Sequence, residues 1–378
     1  MSDAILHSPF GRYRLERHPA RRRELLRAWD AADEYLLNRL EDRAGDCGRV
    51  LLVNDSFGAL SVALHARRPV NWSDSWLAQQ ACRLNLEGNG LATSRVEFRS
   101  SLADPTGDFD TVLIKLPKSL ALLDDQMARL KRVLAPSTRI WIAGMARNMP
   151  STLWRRIEDY LGTTTTSRAV KKARIIEVAL DRSLPDGDGA TPVCWSLDWR
   201  GRSWDIFNHA NVFSRQGLDI GARFFLEHMP ASDGELDIAD LGCGNGVLGL
   251  AAQADNPEAR VHFIDESYMA IESARRNLAQ LDDSGVQPRF HVADGLKAFA
   301  DASLDRVLCN PPFHQQYAIG DVVALSMFRH AARCLRPGGE LWVIGNRHLD
   351  YHRKLRRWLS RVDCVASNRK FVLLRAVK

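Results

Sequence analysis

The sequence lacks the cysteine pattern of a disulfide scaffold or a zinc site. Its 378 residues include 7 cysteines, scattered from Cys47 to Cys364 without a single C-x-x-C pair. Zinc sites and small secreted domains both need cysteines at closer and more regular spacings. We therefore expect neither disulfides nor a bound metal, and we expect most of the cysteines to be small buried side chains.

Long apolar runs are also absent. No stretch approaches the roughly 18 apolar residues that a membrane helix needs, and the opening Met1-Ser2-Asp3-Ala4-Ile5 does not show the basic and then apolar pattern of a secretory signal. These absences predict a cytoplasmic protein with no membrane partner. With 45% apolar and 26% charged residues, the composition is that of an ordinary globular protein. A chain of 378 residues is typical of two domains.

A strong excess of one charge is missing as well. The formal net charge is +6, a mild basic bias that permits nucleic-acid binding without requiring it. Residues 1–190 contain 29 Lys+Arg and 24 Asp+Glu, a net of +5, whereas residues 191–378 contain 23 and 22, a net of +1. The first half therefore carries most of the positive charge.

Short apolar strands alternate with helical patterns twice along the chain, which predicts a parallel, doubly wound sheet in each half. A segment rich in turn-forming residues, 181–192, separates the halves. We therefore expect an α/β protein with two tandem doubly wound Rossmann-like domains, at residues 1–185 and 193–378. The predicted strands lie near residues 50–53, 70–72, 96–98, 111–114 and 139–142, and near 236–241, 261–264, 290–292, 307–308 and 341–344.

The tetrapeptide Asn310-Pro311-Pro312-Phe313 follows an apolar strand and predicts a rigid loop at a cleft. Its two prolines fix φ and carry no N–H, so the loop can neither join a sheet nor start a helix. On such a loop, the Asn310 side-chain oxygen and the next backbone carbonyl can accept from one planar amino group, while Phe313 stacks on the ring that carries it. An ordinary strand-terminating turn is the alternative.

A glycine-rich turn, Asp240-Leu241-Gly242-Cys243-Gly244-Asn245-Gly246, lies between a predicted strand and a helix, where a ligand can approach the backbone closely. The carboxylate of Asp240 would repel a pyrophosphate and favour an ammonium or a sulfonium. Asp265 and Asp294 end the next two strands, where they can accept from ribose hydroxyls and from an adenine amino group. Together these acids predict S-adenosylmethionine as the cofactor. The candidate cofactor-binding residues are Phe213, Asp240, Gly242, Cys243, Gly244, Asn245, Gly246, Asp265, Glu266, Asp294, Gly295 and Asn310.

The second half as a whole resembles the class I S-adenosylmethionine-dependent methyltransferases. Its proline loop resembles those of enzymes that methylate a planar nitrogen, which can be adenine N6, a glutamine amide or guanine N2. Residues 207–221, which include FNHANVFSR, resemble more specifically the ribosomal RNA guanine-N2 methyltransferases. Residues 310–316 and 346–351 resemble the members of that family that act on the large subunit. Residue chemistry alone does not separate the two subunits.

This resemblance implies that a guanosine is turned out of its surroundings, held by its amine on Asn310 and the Pro311 carbonyl, and stacked on Phe313. The implied catalytic residues are Asn310, Pro311, Pro312 and Phe313, and no dedicated base is needed. The implied partner is ribosomal RNA, with 23S RNA favoured, either naked or partly assembled, and the protein would act as a monomer. The alternatives are 16S RNA as the substrate, protein-glutamine or adenine-N6 methylation, and a non-catalytic RNA-binding or assembly factor.

The first half repeats the pattern without its chemistry. Of the glycine set only Gly58 remains, Asp74 stands at the position expected for ribose, and Lys115-Leu116-Pro117-Lys118 replaces the proline loop. We therefore expect a degenerate methyltransferase-like domain that recognises RNA through phosphate contacts. A domain retained only for its interface is the alternative. The predicted RNA-binding residues are Lys115, Lys118, Arg168, Lys171, Lys172 and Arg174.

Overall fold

The computed structural model describes residues 4–19, 24–42, 47–185, 187, 191–281, 286–312 and 317–378, without the side chains of residues 317–321. The chain divides into two compact units, Met1–Thr191 and Pro192–Lys378. Among the described residues, no helix combines the length and the apolar character that crossing a membrane requires.

The N-terminal unit contains a seven-stranded sheet in the order β5-β4-β3-β6-β7-β9-β8. The first five strands in this order, β5, β4, β3, β6 and β7, are parallel. A separate two-stranded sheet, β1-β2, precedes it. Strands β9 and β8 extend the sheet in antiparallel pairing. The elements of this unit are β1 Ile5–Ser8, β2 Gly11–Arg14, α1 Ala31–Asp42, β3 Val50–Val53, α2 Ala59–Ala63, β4 Val70–Ser73, α3 Trp76–Gly88, β5 Glu97–Ser100, β6 Thr111–Lys115, α4 Leu120–Val133, β7 Arg139–Met145, α5 Leu153–Tyr160, β8 Thr164–Thr166 and β9 Ala173–Val178.

The C-terminal unit repeats this plan, with a seven-stranded sheet in the order β14-β13-β12-β15-β16-β18-β17. A hairpin, β10-β11, precedes it and turns at Arg200 and Gly201, which both have positive φ. The elements of this unit are β10 Val193–Trp199, β11 Arg202–Asn208, α6 Ile220–Glu227, β12 Asp237–Leu241, α7 Val247–Asp255, β13 Arg260–Asp265, α8 Tyr268–Leu278, β14 Arg289–Val292, β15 Leu304–Cys309, α9 Tyr317–Cys334, β16 Leu335–Asn346, α10 Tyr351–Leu355, β17 Arg361–Ser367 and β18 Phe371–Val377.

The central strands of both sheets are buried on both faces, which explains their continuous apolar sequences. In the C-terminal unit, Leu308 and Ile344 pack on one face with α6 and α7, whereas Val307, Cys309 and Val343 pack on the other with α9. Alternate residues of a strand therefore belong to different cores. This alternation continues to the strand ends and decides which side chains share one side of the site.

The predicted fold class, two tandem Rossmann-like domains, is confirmed. The two antiparallel strands that complete each sheet escaped the sequence analysis. β8 has three residues, and β17 is a largely exposed edge strand, so neither has a strong apolar period. The basic segment from residue 353 to 361 is helical only to Leu355 and enters β17 at Arg361.

Candidate active site

The predicted site residues of the second half come together at one edge of its sheet. The parallel strands β14, β13, β12 and β15 are neighbours, so their carboxyl ends meet. Asp265 ends β13, Asp294 follows β14, Gly242 follows β12 and Asn310 follows β15. The connections leave β12 in opposite directions at this point, which is where doubly wound sheets bind ligands.

The three glycines of the turn have two different functions. Gly246 is the N-cap of α7 with φ 78, and a Cβ there would lie 2.7 Å from the Ala274 Cβ of α8. Gly244 has φ 55, and a Cβ there would meet nothing within 4 Å, while one at Gly242 would meet only the end of Met327 at 3.2 Å. Gly246 is therefore required for helix packing, whereas the other two glycines border an open cradle.

Asp240 does not point into that cradle. Its side chain is buried, and its Oδ2 accepts a 2.8 Å hydrogen bond from the backbone N–H of Gly249 in the first turn of α7. Burial raises the pKa of this carboxyl group to about 7, although the Gly249 hydrogen bond opposes the shift. Its carboxylate therefore caps a helix below the turn, and its predicted contribution to cofactor binding stays a prediction.

Asp265, at the end of β13, holds the glycine-rich turn in place by a hydrogen bond. Its Oδ2 accepts from the backbone N–H of Gly244 at 3.0 Å, and its Oδ1 accepts from that of Ser267 at 3.0 Å. A carboxylate has about four acceptor positions. These two bonds therefore hold the group in place at the sheet edge where ribose hydroxyls are expected. Asp294 is half-buried at the end of β14, and Gly295 follows it with φ 52.

Asn310 is oriented by a residue that the sequence analysis did not select. Its Nδ2 donates to Oδ2 of Asp219 at 3.3 Å, and the same oxygen caps α6 by accepting from the N–H of Ala222 at 2.9 Å. Its Oδ1 is buried and has no hydrogen-bond donor among the described residues. Because a carboxylate only accepts, Asp219 fixes the amide with its nitrogen toward Asp219 and its oxygen on the other side.

Gly221 keeps the space beside that oxygen open. A Cβ at this position would lie 3.6 Å from the Asn310 Oδ1 and 2.8 Å from the Asp219 Oδ2. Ile220, next to it at the start of α6, is 61% exposed. The sequence does contain a signal for this segment. Asp219 stands at the start of a helix, within the residues that carry the family resemblance.

The other predicted residues vary in position. Asn245 uses its side chain to donate to Asn208 Oδ1 at 3.0 Å, so only its backbone can face the cradle. Cys243 is buried, Glu266 is half-buried and Phe213 is exposed. Pro311 is buried and Pro312 is exposed, while Phe313 lies outside the described residues. The stacking function predicted for Phe313 therefore stays a prediction.

The strand registers of the two units identify the replacement of each site residue in the first copy. Leu241 pairs with Cys309 as Val53 pairs with Ile114, which places Lys115 at the position of Asn310. Asp265 pairs with Val292 as Ser73 pairs with Ser100. The three acids Asp240, Asp265 and Asp294 thus correspond to Leu52, Ser73 and Leu102.

Asp74 is consequently one residue away from the ribose position that the sequence suggested. It is buried and accepts a 2.6 Å hydrogen bond from the hydroxyl of Ser101. Ser75 and Ser267 cap equivalent helices, which fixes the alignment at this point. The first copy therefore has none of the three acids.

Lys115 fills the former cleft rather than lining a surface. Its ammonium lies 2.7 Å from Asp30 Oδ1 and 2.8 Å from Asp33 Oδ1, and only 11% of its side chain is exposed. Its charge is thus already paired, and we leave Lys115 out of the RNA surface proposed below.

The remaining basic residues of the first copy lie near one hairpin turn. Lys171 and Lys172 form the turn with φ 47 and 66, and Lys172 and Arg168 are exposed. Lys171 is 70% exposed although its ammonium lies 2.7 Å from Glu34. Because Ala173 pairs with Met145, this turn lies at the carboxyl edge of the parallel strands. Lys118 is exposed beyond β6 at the same edge, and Arg174 is half-buried.

The equivalent hairpin of the C-terminal unit is basic too, a feature absent from the sequence predictions. Arg369 and Lys370 are exposed in the turn between β17 and β18. Phe371 pairs with Asn346, so the turn lies at the same sheet edge as Asn310. The guanidinium of Arg347 bonds to the Asn368 carbonyl at 3.4 Å and braces the turn.

Comparison with known proteins covers the whole chain. The family described as RLMG N-terminal domain matches residues 3–182, and the Methyltransferase small domain family matches residues 203–375. Proteins named Ribosomal RNA large subunit methyltransferase G are similar to this chain in Klebsiella pneumoniae subsp. pneumoniae (48% identity, 100% of this chain and 99% of that protein) and in Erwinia tasmaniensis (49% identity, 96% of each). The relative of the same name in Aeromonas salmonicida is 46% identical over 99% of both chains.

Among solved structures, the 16S rRNA N2 methyltransferase RsmC of T. thermophilus, determined with AdoMet and guanosine, has the same two-unit fold. The TM-score is 0.77 at 21% identity, over 99% of this chain and 97% of that one.

Proposed function

This chain belongs to the ribosomal RNA large subunit methyltransferase G family, and on that premise we propose that it methylates the exocyclic N2 of one guanosine in 23S ribosomal RNA with S-adenosylmethionine. The observation that carries this proposal is the buried Oδ1 of Asn310, which has no described donor and is oriented by Asp219. An unsatisfied buried acceptor costs about 1–3 kcal/mol. A substrate amine that donates to it removes that cost.

The cradle over Gly242 and Gly244 is suited to close approach of the cofactor, because a Cβ at Gly244 would meet nothing within 4 Å and one at Gly242 only the end of Met327. In this proposal Asp265, held by the N–H groups of Gly244 and Ser267, accepts from the ribose hydroxyls, and Asp294 accepts from the adenine amino group. When bound, the cofactor supplies a methyl group activated by its sulfonium.

Catalysis by this site is chiefly positioning. Asn310 Oδ1 and the Pro311 carbonyl accept the two N–H groups of the target amine, which turns the nitrogen lone pair toward the methyl carbon. The N–C bond forms as the C–S bond breaks, and the bond electrons go to sulfur. The methylated amine then loses a proton to water, so no side-chain base is required. Well-oriented reactants can gain roughly 7–11 kcal/mol from such positioning.

The basic edges supply phosphate contacts. In the C-terminal unit, Arg369 and Lys370 lie at the edge that holds Asn310, so they can bind the phosphates next to the target nucleotide. In the N-terminal unit, Arg168, Lys118 and Lys172 form a second basic edge, which we assign to recognition of more distant RNA. We propose that residues 1–185 recognise RNA while residues 193–378 catalyse, in a cytoplasmic monomer that acts on naked or partly assembled RNA.

The test is transfer of radiolabelled methyl groups from S-adenosylmethionine to ribosomal RNA from cells that lack this protein. The substrates are deproteinised large-subunit RNA, deproteinised small-subunit RNA and the two intact subunits, followed by nucleoside analysis and mapping. We expect N2-methylguanosine at one position of large-subunit RNA. Label on small-subunit RNA would transfer the assignment to 16S RNA, and label on no RNA with cofactor still bound would favour a protein-glutamine substrate.

The Asn310→Ala variant separates the site from the fold. It removes the acceptor and leaves the cradle unchanged. Cofactor affinity should therefore stay within about twofold of the parent value, and the melting temperature within a few degrees. Turnover should fall by about a hundredfold or more, as when a preorganised hydrogen-bond partner is removed from an active site. Unchanged turnover would contradict the assigned function of Asn310.

A further inference from the structure

A second asparagine at the same sheet edge has the same unpaired acceptor as Asn310. The Oδ1 of Asn346, at the end of β16, is buried and has no hydrogen-bond donor among the described residues. We infer that Asn346 accepts the N1–H of the target guanine and thereby selects guanine over adenine. This inference rests on the proposed function, because it concerns the base whose amine Asn310 accepts.

The strand register places the two asparagines side by side. β15 and β16 are parallel neighbours with Cys309 opposite Val343, so Asn346 lies two residues beyond the level of Asn310. With strands about 4.8 Å apart and a rise of about 3.3 Å per residue, the two Cα atoms are roughly 8 Å apart. Two asparagine side chains at this separation can reach adjacent atoms of one base.

Both side chains also belong to the same face of the sheet. Leu308 and Ile344 pack into the core under α6 and α7, and Asn310 and Asn346 each follow two residues later on their strands. The position of Gly221 supports this placement, since a Cβ there would lie 3.6 Å from Asn310 Oδ1 and 3.7 Å from the Ile344 Cδ1. Asn310 Oδ1 therefore borders the space at the start of α6, and Asn346 follows Ile344 by two residues on the same face.

The base edge matches a pair of acceptors. On its Watson–Crick edge guanine presents N1–H beside the N2 amine, which gives two neighbouring donor groups, whereas N1 of adenine is an acceptor. Enzymes that extrude a base read this edge by hydrogen bonds. Asn310 alone would accept any planar amine, including adenine N6. A second acceptor at Asn346 favours a base whose ring nitrogen carries hydrogen.

The backbone of Asn346 is held rigidly, as a recognition residue requires. It pairs with Phe371 in the ladder, and the next N–H, of Arg347, donates to the Lys370 carbonyl at 3.0 Å. On the opposite side, Gly345 lets the buried ring of Tyr351 pack against the strand, since a Cβ there would lie 2.5 Å from that ring.

The first copy has lost both acceptors. Met145 pairs with Ala173 as Asn346 pairs with Phe371, so a methionine stands at the position of Asn346 and Lys115 stands at the position of Asn310. If Asn346 served only to end its strand, the inert copy would have no reason to replace it with an apolar side chain.

The experiment varies the target base and the enzyme together. Splinted ligation gives large-subunit RNA that carries guanosine, 2,6-diaminopurine or 2-aminopurine riboside at the mapped position. Both analogues keep the 2-amino group but have an unprotonated N1, and they differ from each other at position 6. The quantity measured is kcat/KM for methyl transfer by the parent enzyme and by the variants Asn346→Ala, Asn346→Asp and Asn310→Ala.

We expect the parent to prefer guanosine over both analogues by roughly tenfold to a hundredfold, the range of one base-edge contact. Asn346→Ala should lower the guanosine rate by that factor and leave the analogue rates unchanged. Asn346→Asp should keep the preference, because a carboxylate still accepts. Asn310→Ala should lower all three rates alike.

Equal rates of the parent enzyme on guanosine and on the analogues would overturn the inference, and this comparison needs no variant to fold. An equal loss on all three RNAs with Asn346→Ala would overturn it as well. Failure of the parent to methylate guanosine would instead count against the proposed function. Cofactor affinity and melting temperature of each variant show whether a loss reflects the site or the fold.

Discussion

The Oδ2 of Asp219 lies 3.3 Å from the Nδ2 of Asn310, and this pair of positions is filled in both halves of the chain. In the first copy, Asp30 precedes α1 as Asp219 precedes α6, and its Oδ1 lies 2.7 Å from the ammonium of Lys115. In both halves, therefore, an aspartate at the start of a helix binds the side chain that follows a central strand. That side chain is Asn310 in the second half and Lys115 in the first. The proposed substrate acceptor Asn310 thus corresponds in the first copy to a lysine that is paired with two acids.

We predict that Asp219→Ser separates capping from positioning. Its hydroxyl still caps α6 but is too short to reach Asn310, so the amide of Asn310 loses its fixed orientation. Turnover should fall roughly tenfold to a hundredfold, with cofactor affinity and melting temperature nearly unchanged. Asp219→Asn, whose amide oxygen can accept from both partners, should retain most of the turnover. Full activity of the serine variant would show that Asn310 needs no such support.

The glycines of the turn allow a matched comparison. Gly246→Ala puts a Cβ 2.7 Å from that of Ala274, and Gly58→Ala puts one 2.8 Å from the Cys82 Cα in the first copy. Both should destabilise their unit by more than about 2 kcal/mol. Gly244→Ala meets no neighbour and should cost only about 1 kcal/mol for its positive φ.

The effects on cofactor affinity should be the reverse of the effects on stability. The added methyl group of Gly244→Ala lies in the cradle, so titration calorimetry should give a loss of cofactor affinity of tenfold or more with little change in melting temperature. Gly58→Ala should lower the melting temperature without affecting cofactor affinity. Normal affinity in Gly244→Ala would mean that the cofactor does not approach this turn.

Much of this architecture is predictable from sequence, because buried parallel strands and their loops have strong local signals. The glycine turn, the strand-end acids and Asn310 all lie where their spacing indicates. What sequence cannot supply is the direction of a side chain. The side chain of Asp240 bonds to the backbone of α7, and the cation of Lys115 is buried between two acids. Both orientations depend on contacts between residues that are distant in the sequence.

The register between paired strands is the second property that cannot be predicted from the sequence. Asp74 looks like the counterpart of Asp265, but the paired strands show that Ser73 occupies that position. Asn346 has no local motif that marks it as a binding residue. The role proposed for it depends on a neighbouring strand that is followed by Asn310, 36 residues earlier in the chain.

Asp240 predicts an unusual dependence of stability on pH. Its carboxyl pKa rises from 3.8 to about 7 on burial, so the folded state holds the proton more tightly than the unfolded state. This contribution to stability is fully present below pH 4 and is lost as the pH rises toward 7. Asp240→Asn removes the titration and can still accept from Gly249.

The measurement is the difference in unfolding free energy between the parent and Asp240→Asn as a function of pH. The variant should match the parent near pH 4 and be more stable at pH 8 by on the order of 4 kcal/mol. Its cofactor affinity should fall, because the negative charge below the cradle is gone. A difference that does not change with pH would show that Asp240 keeps an ordinary pKa.

The basic edge of the first copy can be tested by its dependence on salt. Lys172→Glu and Arg168→Glu each remove one proposed phosphate contact, which should weaken RNA binding and lower the slope of log K against log salt by about one. Arg95→Glu is the matched control, because Arg95 is also exposed but precedes β5, at the opposite edge of the sheet. Lys171 is avoided, since its replacement would put a second acid beside Glu34.

Filter binding of large-subunit RNA at several salt concentrations gives the slopes, and cofactor affinity should stay constant in all three variants. The parent and Arg95→Glu should share one slope. If Lys172→Glu and Arg168→Glu also kept that slope while methylation stayed normal, the first copy would have no direct contact with phosphate at this edge. Recognition of the RNA would then fall to Arg369 and Lys370 beside the site.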